Sequence, residues 1–178
     1  LQCFFSPRDR MAVANNLKII TRSEENIDYL TRDVFRNMGK YLVEFFRMAR
    51  EIDEEFLRTR VKIINRENID KALAQKKGII IATAHIGNWE LGAVLISLMG
   101  YPTTAIALPH RERPVNELFN KQRESKGIKV VAINQSLRAS IKTLKENKFV
   151  GVVADRDFTA TGYEMDFLGK KTLIPKGA

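Results

Sequence analysis

Apolar side chains at Ile27, Leu30, Val34, Met38, Tyr41, Phe45, Met48 and Ile52 follow one another at steps of three or four residues. That spacing keeps them on one face of a helix and predicts a long amphipathic helix over about 23–56. Ser23, with Glu24 and Glu25 behind it, suits the start, because a hydroxyl can cap and acids favour the first turn. Phe35 and Phe46 widen the apolar face. Such a helix packs against a sheet or, as the alternative, lies on a membrane surface.

Beyond residue 60 the period changes. Val61-Lys62-Ile63-Ile64 is short and β-branched, as a strand would be, and 67–76 is helical in pattern up to the stop at Gly78. The run 78–84 is almost continuously apolar, which predicts a strand buried on both faces. A helix over 88–99, a strand over 103–108, a helix over 114–125 closed by Gly127 and a strand over 129–133 follow. A helix over 136–146 and a strand over 149–154 complete the alternation. Strands alternating with helices of this length predict an α/β fold: a mainly parallel or mixed sheet flanked by helices, preceded by the long helix. No repeat or low-complexity linker interrupts it, so 1–178 reads as one domain.

Composition narrows the class. With 44% hydrophobic and 29% charged residues, the 178-residue chain can build a core, and disorder as the main state is excluded. One cysteine and two histidines cannot supply a disulfide framework or a structural zinc site. No run of about 18 apolar residues is present for a membrane-spanning helix, and Arg8, Asp9 and Arg10 break the early apolar stretch that a signal peptide would need. The chain opens on Leu1, and 172–178 show no closing element, so an N-terminal anchor and a C-terminal part are expected to be missing from it.

The net charge of +9 is concentrated, with ten Lys and Arg against four Glu in residues 101–150. Such a field attracts phosphorylated ligands, acidic partners or anionic lipid, unless these are simply solvated helix faces. Aromatic residues are not interleaved with the cations as a pattern, Phe119 alone lying among them, and no nucleic-acid module is recognisable, so nucleic acid is not expected as a partner.

Candidate chemistry centres on His85. The pattern places it at the carboxyl end of the strand over 78–84, where ligands gather in open α/β sheets, and Glu90 follows across a strand-to-helix turn. A carboxylate on one imidazole nitrogen fixes the tautomer and leaves the other basic, which suits removal of a proton from a hydroxyl. Gly87 would let the backbone pass close to a substrate. A satisfied polar histidine and an ordinary first-turn acid are the alternative. Nothing beside His85 is a Cys or Ser nucleophile, and the turn lacks the Gly-x-Gly-x-x-Gly of a dinucleotide site. Asp155 and Asp157, after the last strand, could bind an arginine or sugar hydroxyls; two acids without a third ligand make a weak metal site, and none is expected.

The string Ala84-His85-Ile86-Gly87-Asn88-Trp89-Glu90 resembles the signature of the bacterial lipid A biosynthesis acyltransferases, the late lauroyl/myristoyl family. Arg111-Glu112-Arg113-Pro114-Val115-Asn116 with Arg123 and Gly127 is similar to a second block, and Val153 to Asp157 with Gly162 and Phe167-Leu168-Gly169 to a third. The resemblance implies transfer of a fatty acyl chain from an acyl carrier protein or coenzyme A thioester to a hydroxyl of a lipid A precursor or similar glycolipid. No other cofactor is implied. The place implied is the cytoplasmic face of the bacterial inner membrane, with an anionic surface beside the enzyme. It assigns His85 as base, Glu90 as its orienting partner and Arg123 as stabiliser of the oxyanion; without the family, Arg123 would read as a surface helix residue. Gly87, Asn88, Trp89, Arg111, Asn116, Asp155 and Asp157 are implied to contact substrate. A non-catalytic basic module of the same fold, binding a membrane surface or carrier protein, is the competing expectation.

Overall fold

The computed structural model describes residues 6–158 and 160–176, and these fall into two compact units, 6–44 with 157–176 and 45–156. The first unit opens on α1 (Pro7–Thr21), which the sequence pattern did not predict. Its apolar residues hold no regular face and none is buried. The long helix is real but shorter than expected: α2 spans Ile27–Glu51. Ser23 forms a local turn, its Oγ accepting from the Glu25 N–H at 3.0 Å, and Asn26 at φ 57° precedes the first helical residue. At the other end Asp53 caps a separate helix, α3 (Glu54–Arg60), by accepting from the Phe56 N–H at 2.8 Å. An N-cap inside the apolar period thus divides what the spacing alone reads as one helix.

The first unit also holds an antiparallel hairpin, β5 (Tyr163–Phe167) and β6 (Lys170–Ile174), in register from Tyr163–Ile174 to Phe167–Lys170. Residues 170–174, where the sequence pattern offered no element, are the second strand of this hairpin. The strict alternation Tyr163-Glu164-Met165-Asp166-Phe167 is a period-two signal.

The second unit is the α/β layer the pattern predicts. After α4 (Glu67–Leu73) come β1 (Ile79–Thr83), α5 (Trp89–Leu98), β2 (Thr103–Ala107), α6 (Arg113–Glu124), β3 (Lys129–Ala132), a short 3-10 turn, α7 (Ser136–Lys145) and β4 (Phe149–Val153). The four strands are parallel, in the order β1–β4–β2–β3. Val61–Ile64 is not a strand: it pairs with no strand among the described residues, Ile64 is 72% exposed, and Asn65 at φ 57° turns the chain towards α4.

Phe45, Met48 and Ile52 from the end of α2 and the residue after it, with Val94 of α5 and Ile128, form the buried core, joined by Leu91, Leu95 and Phe119. Phe45 stacks on Phe119 with ring centroids 4.5 Å apart. Burying each such side chain is worth about 1.5–3 kcal/mol. Gly78 has no substitute where β1 begins, since a Cβ there would stand 2.6 Å from the Leu144 Cα, and its φ is +72°. The expectation that β1 is buried on both faces is corrected: it ends the strand order, and Ile80 is 59% exposed.

Candidate active site

β1 ends at Thr83 and β4 at Val153, and these residues are partners in the parallel register. The Ala154 N–H donates to the Thr83 carbonyl at 2.8 Å, so the two chains leave the carboxyl edge of the sheet side by side. Two residues further along each, His85 and Asp155 meet. The His85 backbone N–H donates to Asp155 Oδ2 at 3.0 Å, and Nδ1 lies 2.7 Å from Oδ1. Burial pushes the Asp155 carboxyl up. Hydrogen bonds from the His85 backbone and ring and from its own backbone N–H, with the charge of His85, outweigh that and hold it below the usual aspartate value. An ionised Asp155 accepts from Nδ1–H, which leaves Nε2 with the lone pair. The Trp89 ring stands edge-on to the imidazole, 4.6 Å between centroids, and limits its rotation.

Glu90 does not orient His85. It is buried in the first turn of α5, and both its oxygens receive the Arg123 Nε, at 3.2 and 2.9 Å; Nη2 donates to Oε1 as well. The strand-to-helix turn therefore separates the two residues that spacing puts together. Asn88 spends its side chain on capping α5, Oδ1 accepting from the Leu91 N–H at 2.9 Å, and this fixes the helix face on which Glu90 points inward.

Arg123 is correspondingly engaged within the fold. Its side chain is 12% exposed, one edge of the guanidinium is taken by Glu90, and its carbon lies 5.7 Å from the Phe119 ring centroid. The pair ties α6 to the start of α5. Among the other expected substrate contacts, Asn116 turns Oδ1 to the His110 N–H at 3.0 Å, and the His110 ring rests on Phe119 at 4.4 Å. Arg111 is exposed. Asp157 lies in the first unit, where it accepts from the Gly162 N–H at 2.8 Å. Gly87, at φ +61°, has nothing within 4 Å of where a Cβ would stand, so the backbone beside His85 faces open space. Among the described residues no three His, Cys, Asp or Glu side chains gather as metal ligands.

Part of the basic stretch is paired, at the surface or within the fold. Arg113 pairs with Glu117, Arg123 with Glu90, Lys148 with Glu146, and Lys126 donates to the Ile52 carbonyl. Arg111, Lys121, Lys129, Arg138, Lys142 and Lys145 remain exposed.

A parallel α/β sheet with a carboxylate-held imidazole at its carboxyl edge defines a chain fit for general-base chemistry. Residues 3–178 match the family model of the bacterial lipid A biosynthesis acyltransferases, and the chain belongs to that family. It is 30% identical over 144 residues to a phosphatidylinositol mannoside acyltransferase of Mycobacterium tuberculosis (strain ATCC 25618 / H37Rv), covering 78% of this chain and 46% of that protein. The protein of that name from Mycolicibacterium smegmatis is 28% identical over 154 residues, covering 84% of this chain and 50% of its own length. A lipid A biosynthesis acyltransferase of Haemophilus influenzae is 26% identical over 124 residues, covering 68% and 39%. The chain thus spans half or less of the curated relatives it matches. Among the described residues no helix is long and apolar enough to cross a membrane.

Proposed function

We propose that the protein moves a fatty acyl group from a thioester to a hydroxyl of a glycolipid, with His85 as general base and Asp155 as the residue that positions it. The observation that carries this reading is the hydrogen-bonded His85–Asp155 pair inside the segment that matches the family. His85 Nε2 takes the acceptor's hydroxyl proton as the oxygen attacks the thioester carbonyl. The tetrahedral intermediate then expels the thiolate, which recovers the proton from the imidazolium, leaving an ester and a free thiol. The N-terminus of α5, four residues beyond His85, offers a positive end that would favour the carbonyl oxygen as it becomes negative.

The relatives named for lipid A and for phosphatidylinositol mannoside support a glycolipid acceptor. A lipid A precursor with a lauroyl- or myristoyl-type donor is the finer version of that reading, and the donor thiol is that of acyl carrier protein or coenzyme A, with no other cofactor. The exposed cations between Arg111 and Lys145 support placement against an anionic surface, at the cytoplasmic face of the bacterial inner membrane. The test is release of free thiol from an acyl thioester when glycolipid acceptor is added, with His85→Ala in parallel. Acceptor-dependent release that His85→Ala abolishes supports the reading. Absence of release, with acyl carrier protein or vesicles still bound, would make the chain a binding module instead.

A further inference from the structure

The helix α7 (Ser136–Lys145) is turned the wrong way round for a soluble surface. Helices of globular proteins bury their apolar stripe and expose polar residues. This one buries Thr143, whose Oγ1 lies 3.1 Å from the buried Thr104 hydroxyl, and half-buries Ser136, Ala139, Ser140 and Leu144. Of its three leucine and isoleucine residues it sends two outward: Leu137 is 76% exposed and Ile141 47%, continuing a line from Ile133 at 43% in the turn before. With successive residues about 100° apart, Leu137 and Ile141 lie within about 40° of each other, and Lys145, Arg138 and Lys142 occupy the next ~100°. All three cations are exposed, and α7 contains no acid. Its outer half is therefore one aliphatic arc beside one cationic arc.

We propose that this outer half of α7 is the element that docks on an anionic lipid surface, the aliphatic ridge entering the acyl boundary and the cations lying at headgroup level. The proposal rests on the membrane placement above and names the segment responsible. Charge complementarity selects the occupant: the cationic arc matches an anionic headgroup layer, and long basic side chains can extend along that layer while their stems stay apolar. The ridge is purely aliphatic, whereas the anchors of protein interfaces are enriched in Trp, Tyr and Arg, with Leu under-represented. A convex row of Ile and Leu needs no shaped partner to bury it.

The experiment is flotation of the chain with phosphatidylcholine vesicles, with and without phosphatidylglycerol. Two further variants are tested, Leu137→Ser with Ile141→Ser, and Arg138→Gln with Lys142→Gln. Each pair is expected to lower partition into anionic vesicles by about tenfold or more. An environment-sensitive dye on the thiol of Leu137→Cys, in Cys3→Ser, should shift to the blue when those vesicles are added. Undiminished binding by Leu137→Ser/Ile141→Ser, or a dye that stays in water, overturns the proposal. So does self-association in sedimentation that the same serine pair breaks without vesicles, which would give the ridge to a second copy. Thiol release from detergent-dispersed substrate should be equal in the serine pair and the unaltered chain. Its loss in every form, with flotation intact, would sink the acyl-transfer reading and leave this one standing.

Discussion

His85 and Asp155 are 70 residues apart in the chain, and their side chains are 2.7 Å apart in the fold. The cause is the sheet. β4 inserts next to β1, Thr83 and Val153 share a register, and each chain needs only two more residues to reach the other. Both Asp155 oxygens are then spent on one residue, the imidazole and the backbone N–H of His85. A carboxylate that grips backbone and ring together holds the ring more firmly than a single bond would.

Replacing His85 by alanine should therefore lower kcat by about 10²–10⁴-fold, the usual contribution of a positioned general base. Asp155→Asn keeps the shape but offers an amide where Nδ1–H needs an acceptor, so it should also lower kcat while leaving KM nearly unchanged. Acyl transfer followed by thiol release checks both. If Asp155→Asn turns over at the unaltered rate, the aspartate does not position the base.

The same pair sets a dependence of stability on acidity. The folded Asp155 carboxyl lies below its unfolded value, so its contribution to stability is present above the unfolded value. It is lost as pH falls through the folded one. Urea midpoints measured from pH 6 down to about 2.5 should fall less steeply in Asp155→Asn than in the unaltered chain over the range below about pH 4. Parallel curves would show that the carboxyl is not held low by His85.

The sheet was legible because its signals are local. Each run such as 78–84 or 149–154 reports its own strand, and the turns at Gly78 and Gly127 mark their limits. His85 was legible for the same reason, being fixed at a strand end by its neighbours. Its partner was not, because the identity of that carboxylate depends on strand order. Glu90, five residues away, is the nearest acid in sequence, while Asp155 becomes the nearest only when β4 lies beside β1. The break between α2 and α3 was obscured by an apolar period that runs across it, although Asp53 carries the capping signal. In α7 the periodicity located the helix, but the face it turns outward was decided by the small residues that fit against the sheet.

Two glycines separate strain from collision. Gly87 and Gly78 both have positive φ, +61° and +72°, but a Cβ at Gly87 meets nothing within 4 Å, whereas at Gly78 it meets the backbone of Leu144. Gly87→Ala should cost about 1–2 kcal/mol from conformation alone. Gly78→Ala should cost clearly more, because the strand or α7 must shift as well. Denaturant unfolding of the two variants gives the comparison, and equal losses would mean that the approach of β1 to α7 is looser than described.

The last expectation separates a structural from a chemical role for Arg123. Its side chain and that of Glu90 are 12% and 8% exposed, and they meet through more than one hydrogen bond. Removing one partner of such a pair leaves a buried charge uncompensated, which costs about 3–5 kcal/mol when burial is complete. Arg123→Leu and Glu90→Leu should each destabilise by an amount approaching that. The double variant should lose much less than the two together, since no lone charge remains. With a structural role alone, total activity should follow the folded fraction, low in each single variant at ordinary temperature and partly restored in the double one, while activity per folded molecule stays near that of the unaltered chain. If Arg123 instead held the oxyanion, the double variant would recover its fold and not its rate, because a leucine donates nothing to a negative oxygen. Thermal unfolding and thiol release measured on the same three proteins decide it. A double variant that is stable but slower by about 10²-fold or more would return the catalytic role to Arg123.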